Sequence, residues 1–259
     1  MKSLKEALLN RPKNIDVARM VAEEYIKANY EIEGNLTFEN VNGIYIVNCD
    51  GDIKITNEKI VKLTEGFVWG EIKGDFICLW CKELNSLEGA PKKVDKNFNC
   101  SYCKKLNSLE GVPKEVKDFN CVGCERLVSL EGAPEKVRGH FYCTGCEGLI
   151  SLEGAPKKVG GNFYCVGCIK LESLKGAPEK VREHFNCSYC YSLETLEGAP
   201  EIVGGNFDCS HCKRLESLKG APEIVGGVFN CSKCENLQSL EGAPRKVKKI
   251  EYPIIKNRK

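Results

Sequence analysis

The sequence predicts a mainly β solenoid, and three observations carry that expectation. The first is a repeat. The phrase F-x-C-x-x-C-x-x-L-x-S-L-[EK]-G-[AV]-P-x-x-V returns with its first cysteine at Cys78, Cys100, Cys121, Cys143, Cys165, Cys187, Cys209 and Cys231. The period is 22 residues, with one copy of 21 that lacks a residue between Val116 and Phe119. A fixed period of this size marks a stack of units that bury their apolar faces against one another. The second is the alternation in Phe-x-Cys, which sets Phe and the first Cys on one face of a strand. The third is Gly-Ala-Pro (Val112 replaces Ala once): proline fixes φ and drives the preceding residue to extended geometry, so every copy turns there.

The chain divides accordingly into a helical N-terminal cap over 1–33 and degenerate β coils over 34–73. Eight CxxC-containing coils follow over 74–247, then a terminal strand and basic tail over 248–259. Ser3-Leu4-Lys5-Glu6 has capping-box spacing, and Leu4, Ala7 and Leu8 give a short helix one apolar face. Pro12 and Asn14 interrupt it. Asn14 is expected to cap a second helix in which Val17, Ala18, Val21, Ala22, Tyr25 and Ile26 recur at helical spacing, and Gly34 ends the unit. Segments 34–38, 43–47 and 51–55 then alternate apolar and polar residues with glycine punctuation, as atypical coils at the end of a stack would. In the fifth copy the inward positions are Phe163, Cys165, Cys168, Leu171, Leu174 and Val159. Burying the Phe, two Leu and Val yields roughly 6–12 kcal/mol gross, less than the cost of ordering a coil at about 1–2 kcal/mol per residue. One coil cannot fold alone.

Net charge is +2 with acids and bases interspersed, which gives no electrostatic case for nucleic acid. No apolar run reaches membrane-spanning length, and the first residues do not lead into a signal-peptide core, so the expectation is a cytoplasmic protein without a membrane partner. No phosphate loop, nucleophile elbow or H-E-x-x-H motif is present, which points away from an enzyme and from a small-molecule substrate. His140, His184 and His211 are scattered and read as exposed or turn-bonding.

The phrase Phe207-x-Cys209-x-x-Cys212-x-x-Leu215 resembles the leucine-rich repeat, with Cys212 at the place where that family carries its ladder asparagine. The Ser-Leu-Glu-Gly-Ala-Pro phrase is similar to short repeats of phage and bacterial proteins. The resemblance covers residues 74–247 and implies a binding scaffold with a protein partner, in the host cytoplasm if the source is viral.

The sixteen paired cysteines admit two readings. Zinc takes four thiolates, and two C-x-x-C units supply them. The ligands would then come from Cys78, Cys81, Cys100, Cys103, Cys121, Cys124, Cys143, Cys146, Cys165, Cys168, Cys187, Cys190, Cys209, Cys212, Cys231 and Cys234. Against this, thiols are small, readily buried groups, and two core columns spaced by strand separation pack without metal. The packing reading is preferred, with no cofactor. For a partner, two columns vary while the rest stay fixed. The residue before the first Cys runs through Asn120, Tyr142, Tyr164 and Asn186. The residue before the second Cys runs through Trp80, Tyr102, Gly123, Gly145, Gly167 and Tyr189. Both are expected to face outward on the strand surface, which is the concave side in leucine-rich repeats. A saddle floored by glycine and flanked by tyrosine suits a protein loop.

Overall fold

The computed structural model describes residues 16–253, and the expected first helix and Asn14 lie outside them. Helix α1 spans Val17–Asn29; its N-cap is Asp16, whose carboxylate accepts from the Arg19 N–H at 3.1 Å. Its Ala22 and Ile26 are buried against the first turns of the stack. The expected helical unit ends earlier than Gly34. Tyr30–Glu33 forms strand β1 and pairs antiparallel with β4 (Asp52–Ile55), because Tyr30 is drawn into the core and its hydroxyl donates to the Leu63 carbonyl.

Strand β2 (Leu36–Val41) folds back antiparallel on β3 (Ile44–Cys49). From β3 onward the chain winds parallel. β3 pairs with β5 (Phe67–Ile72), and β4 with β6 (Phe76–Ile77). The stack thus begins with one irregular coil, and two antiparallel strands and a helix lie over its end.

Each coil contributes two short strands rather than one. The first, at Phe-x, forms a parallel ladder of β6, β8 (Phe98–Asn99), β10 (Phe119–Asn120), β12 (Phe141–Tyr142), β14 (Phe163–Tyr164), β16 (Phe185–Asn186), β18 (Phe207–Asp208) and β19 (Ile224–Asn230). The second, at x-Val, starts with β7 (Lys93–Val94), which pairs with β5, and continues as β9 (Glu115–Val116), β11 (Lys136–Val137), β13 (Lys158–Val159), β15 (Lys180–Val181), β17 (Ile202–Val203) and β19. Proline sends the chain into extended geometry and valine then points inward, so the return segment makes its own ladder. The strands fuse in β19 and again in the last strand, β20 (Lys246–Glu251).

Phe, both Cys, both Leu and Val of the repeat form one continuous core; Phe163, Cys165, Cys168, Leu171 and Leu174 are fully buried and Val159 nearly so. The phenylalanine rings stack in register from Phe76 to Phe229. Their spacing is 4.9 Å at Phe141–Phe163 and widens to 6.0 Å at Phe98–Phe119, where the coil is a residue short.

A side-chain ladder runs beside this stack at the position before each Phe. The Asp118 carboxylate accepts the His140 backbone N–H at 2.7 Å, and His140 Nδ1 accepts that of Asn162 at 3.0 Å. Asn162 Oδ1 accepts from His184 at 3.0 Å, and His184 Nδ1 from Asn206 at 2.8 Å. Asn206 Oδ1 closes the run on Val228 at 2.9 Å. Both imidazoles therefore accept at Nδ1. At the short coil the ladder is interrupted, and Asn97 Oδ1 is buried without a partner.

Candidate functional site

The corner after the Phe-x strand holds both sequence-predicted columns, and the structure separates what the fold requires there from what it does not. The residue before the first Cys starts the corner. Asn99, Asn120, Asn186 and Asn230 each accept, through Oδ1, the backbone N–H two residues on, at 2.9–3.1 Å, and Asp208 does the same at 2.8 Å. Asn120 and Asn186 are thus turn-formers with a fold-given role. Tyr142 and Tyr164 stand in the same column and cannot make that bond. They lie in register on β12 (Phe141–Tyr142) and β14 (Phe163–Tyr164), half-buried, with ring centroids 5.5 Å apart edge to face. Burial raises both phenol pKa values above their ordinary level.

The second column departs from expectation. Trp80, Tyr102, Gly123, Gly145, Gly167, Tyr189, His211 and Lys233 do not lie on the strand. They occupy the turn after it, all with φ between 59° and 68°. This left-handed region is why three copies carry glycine. For the residues with a side chain it costs roughly 1–2 kcal/mol each. The side chains leave the turn outward: Trp80 and Tyr189 are each 42% exposed. Trp80 stacks on Tyr102 at 4.1 Å, and Tyr189 on His211 at 4.3 Å, with planes 6° and 9° apart. Between the two stacks lie the three glycines. Tyr102 leans over Gly123, where a Cβ would meet its ring at 2.6 Å. Above Gly145 the nearest atom to a Cβ is the Gly123 N at 4.0 Å, and above Gly167 nothing lies within 4 Å. The structure therefore brings the predicted residues to one corner of the coils, as two aromatic stacks flanking a glycine gap with Tyr142 and Tyr164 on the adjoining strands.

All seventeen cysteines are free and buried. From Cys103 onward, the second thiol of each coil donates to the carbonyl of the first cysteine one coil back. Examples are Cys103 to Cys78 at 2.9 Å, Cys168 to Cys143 at 3.2 Å and Cys234 to Cys209 at 3.2 Å. Cysteine here satisfies the corner's backbone from the ladder position. Burial, together with the neighbouring thiols Cys168, Cys190, Cys212 and Cys234, holds Cys143, Cys165, Cys187 and Cys209 well above the ordinary thiol range. A thiolate cluster would have to give up the S–H bonds and carry charge into this core. Among the described residues no group of three His, Cys, Asp or Glu is arranged to hold a metal ion.

With its 22-residue period and parallel strand ladders, the chain is a β-solenoid. No family model matches the sequence, and no curated protein does. Among solved structures the chain is similar to a leucine-rich repeat protein from Bacteroides ovatus. That likeness has 14% identity, covers 85% of this chain and 90% of the other, and has a TM-score of 0.27. No helix among the described residues is long and apolar enough to cross a membrane.

Sequence reasoning missed the acceptor ladder. Its signal was nevertheless there: Asp75, Asn97, Asp118, His140, Asn162, His184 and Asn206 share one column, and each has a side-chain acceptor.

Proposed function

We propose that this chain is a non-enzymatic repeat scaffold that recognises another protein through the strand-and-turn corner around Tyr142 and Tyr164. One observation carries the reading. At the two corner columns the fold favours Asn or Asp before the first Cys and glycine before the second. Most departures from this rule are aromatic: Tyr142 and Tyr164 in the first column, and Trp80, Tyr102, Tyr189 and His211 in the second, with Ile77 and Lys233 the two that are not. A chain that accepts backbone strain to display aromatic rings is equipped for contact, since tyrosine and tryptophan supply large, low-entropy contact area. The cysteines, in this reading, are packing and turn-bonding groups that need no cofactor.

The test is capture on immobilised protein from lysate of the source cell, comparing the native chain with the Tyr142→Ala, Tyr164→Ala double variant. Proteins held by the native chain should be lost from the variant, with the thermal midpoint nearly unchanged because both rings are only half-buried. Retention of the same proteins by the double variant removes this site. Metal content with a free-thiol count tests the cysteine assignment: about seventeen titratable thiols and no zinc are expected, whereas stoichiometric zinc overturns it.

A further inference from the structure

We infer that the gap between the two aromatic stacks takes arginine side chains of the partner, an inference that rests on the protein-recognition reading above and names the chemistry recognised. The rings of each stack are nearly parallel across adjacent coils, so they stand across the long axis and present faces along it. Trp80 covers one face of Tyr102, and His211 covers one face of Tyr189. Beyond the two stacks, Tyr102 leans over Gly123, and the turns at Gly145 and Gly167 carry no side chain. The two tyrosines are four coil spacings apart, roughly 19 Å at about 4.8 Å per coil. Over Gly145 and Gly167 that space is open.

Charge selects the occupant. The column two residues beyond the glycines borders the gap, as Tyr191 shows by packing edge-on against Tyr189 at 6.3 Å. In the gap it holds Glu125 and Glu147. Glu125 is taken by Lys104 at 2.6 Å; Glu147 makes no ion pair among the described residues, and the Lys104 charge reaches it only from a distance. The nearby cations Arg126 and Lys170 belong to the next column, in which Lys105 pairs with Glu83 of the same column and Arg214 reaches Glu194 on the leucine side. The gap therefore offers aromatic faces and an unpaired carboxylate. A guanidinium is planar, stacks on tyrosine faces and donates in pairs to a carboxylate, whereas an ammonium cannot stack.

The probes are two labelled peptides, (Gly-Arg)4 and (Gly-Lys)4, titrated by fluorescence anisotropy at fixed ionic strength against the full chain. The arginine peptide should bind about tenfold more tightly than the lysine peptide. Glu147→Gln should weaken arginine binding about fivefold. The Tyr102→Asn, Tyr189→Asn variant, which keeps a residue tolerant of positive φ, should erase the preference. Equal affinity for the two peptides, no binding of either, or indifference to Glu147→Gln overturns the inference. These outcomes are separable from the Tyr142, Tyr164 capture test: capture that still depends on those tyrosines, beside peptides that do not discriminate, removes the arginine assignment alone.

Discussion

His184 shows how much one side chain is asked to do in this stack. Its Nδ1 accepts the backbone N–H of Asn206 at 2.8 Å, and its own N–H is held by Asn162. Any replacement must offer an acceptor at the same reach. His184→Asn, which copies the residue at neighbouring rungs, should leave the thermal midpoint within a degree or two. His184→Leu deprives the Asn206 N–H of its acceptor and should cost about 0.5–1.5 kcal/mol in denaturant unfolding. Equal stability of the two variants would mean that the rung carries no weight. The thiols give a second prediction at this scale. In the unfolded chain they ionise at about 9, while burial keeps Cys143, Cys165, Cys187 and Cys209 protonated above that. The unfolded state alone sheds protons there, so the folded state should lose stability as pH rises above about 9, by up to roughly 1.4 kcal/mol per pH unit for each thiol. Below pH 8 these groups should contribute no slope. A flat unfolding free energy from pH 8 to 10.5 would show that the thiols are not held protonated by the fold.

The corner between the Phe-x strand and the leucine segment is built from local rules that differ in how strictly they bind. Asn120 and its equivalents hold the turn through their own side chains, and the thiols of the next coil tie down the carbonyls. The residue before the second cysteine must accept φ near +65° in every copy. Gly145→Ala should therefore cost about 1 kcal/mol from backbone strain alone, since its Cβ would meet open space. Gly123→Ala should cost more, because the added Cβ also meets the Tyr102 ring at 2.6 Å and must displace it from Trp80. Paired unfolding curves check the ranking. The reverse order would mean that Tyr102 does not lean on Gly123 in solution.

Across the whole molecule the coils touch in sequence order, each ladder step pairing one copy with the next. Stability then sums over coils and their interfaces. Excising residues 185–206, one full period, joins His184 to Phe207 and restores every column in register. That variant should remain a folded β protein by circular dichroism, with a lower midpoint. Excising residues 185–195, half a period, sets Phe and Cys against the wrong columns and should unfold the chain downstream. A folded half-period variant would show that register does not matter to the stack. The ends follow different rules. β1 and β2 run antiparallel and α1 lies over the first coil, which gives the stack a covered edge at the N-terminus.

The repeat in the sequence was enough to determine the solenoid, its period and its core. Phe163, Cys165, Cys168, Leu171 and Leu174 are legible as inward because the same residue types return every coil, and burial is what a recurring apolar position expresses. The sequence also marked Tyr142, Tyr164 and the glycine run as the places where copies diverge. Tertiary structure decided three things that one copy of the phrase does not contain. The x-Val segment became a second ladder because parallel pairing needs the next coil as its partner. The column from Trp80 to Lys233 left the strand for a left-handed turn, since the bond that anchors that corner comes from a thiol one coil away. Asp118, His140, Asn162 and His184 became a single ladder only once stacking placed each acceptor under the next backbone N–H. Each is a contact between residues about 22 positions apart, and no local propensity reports such a contact.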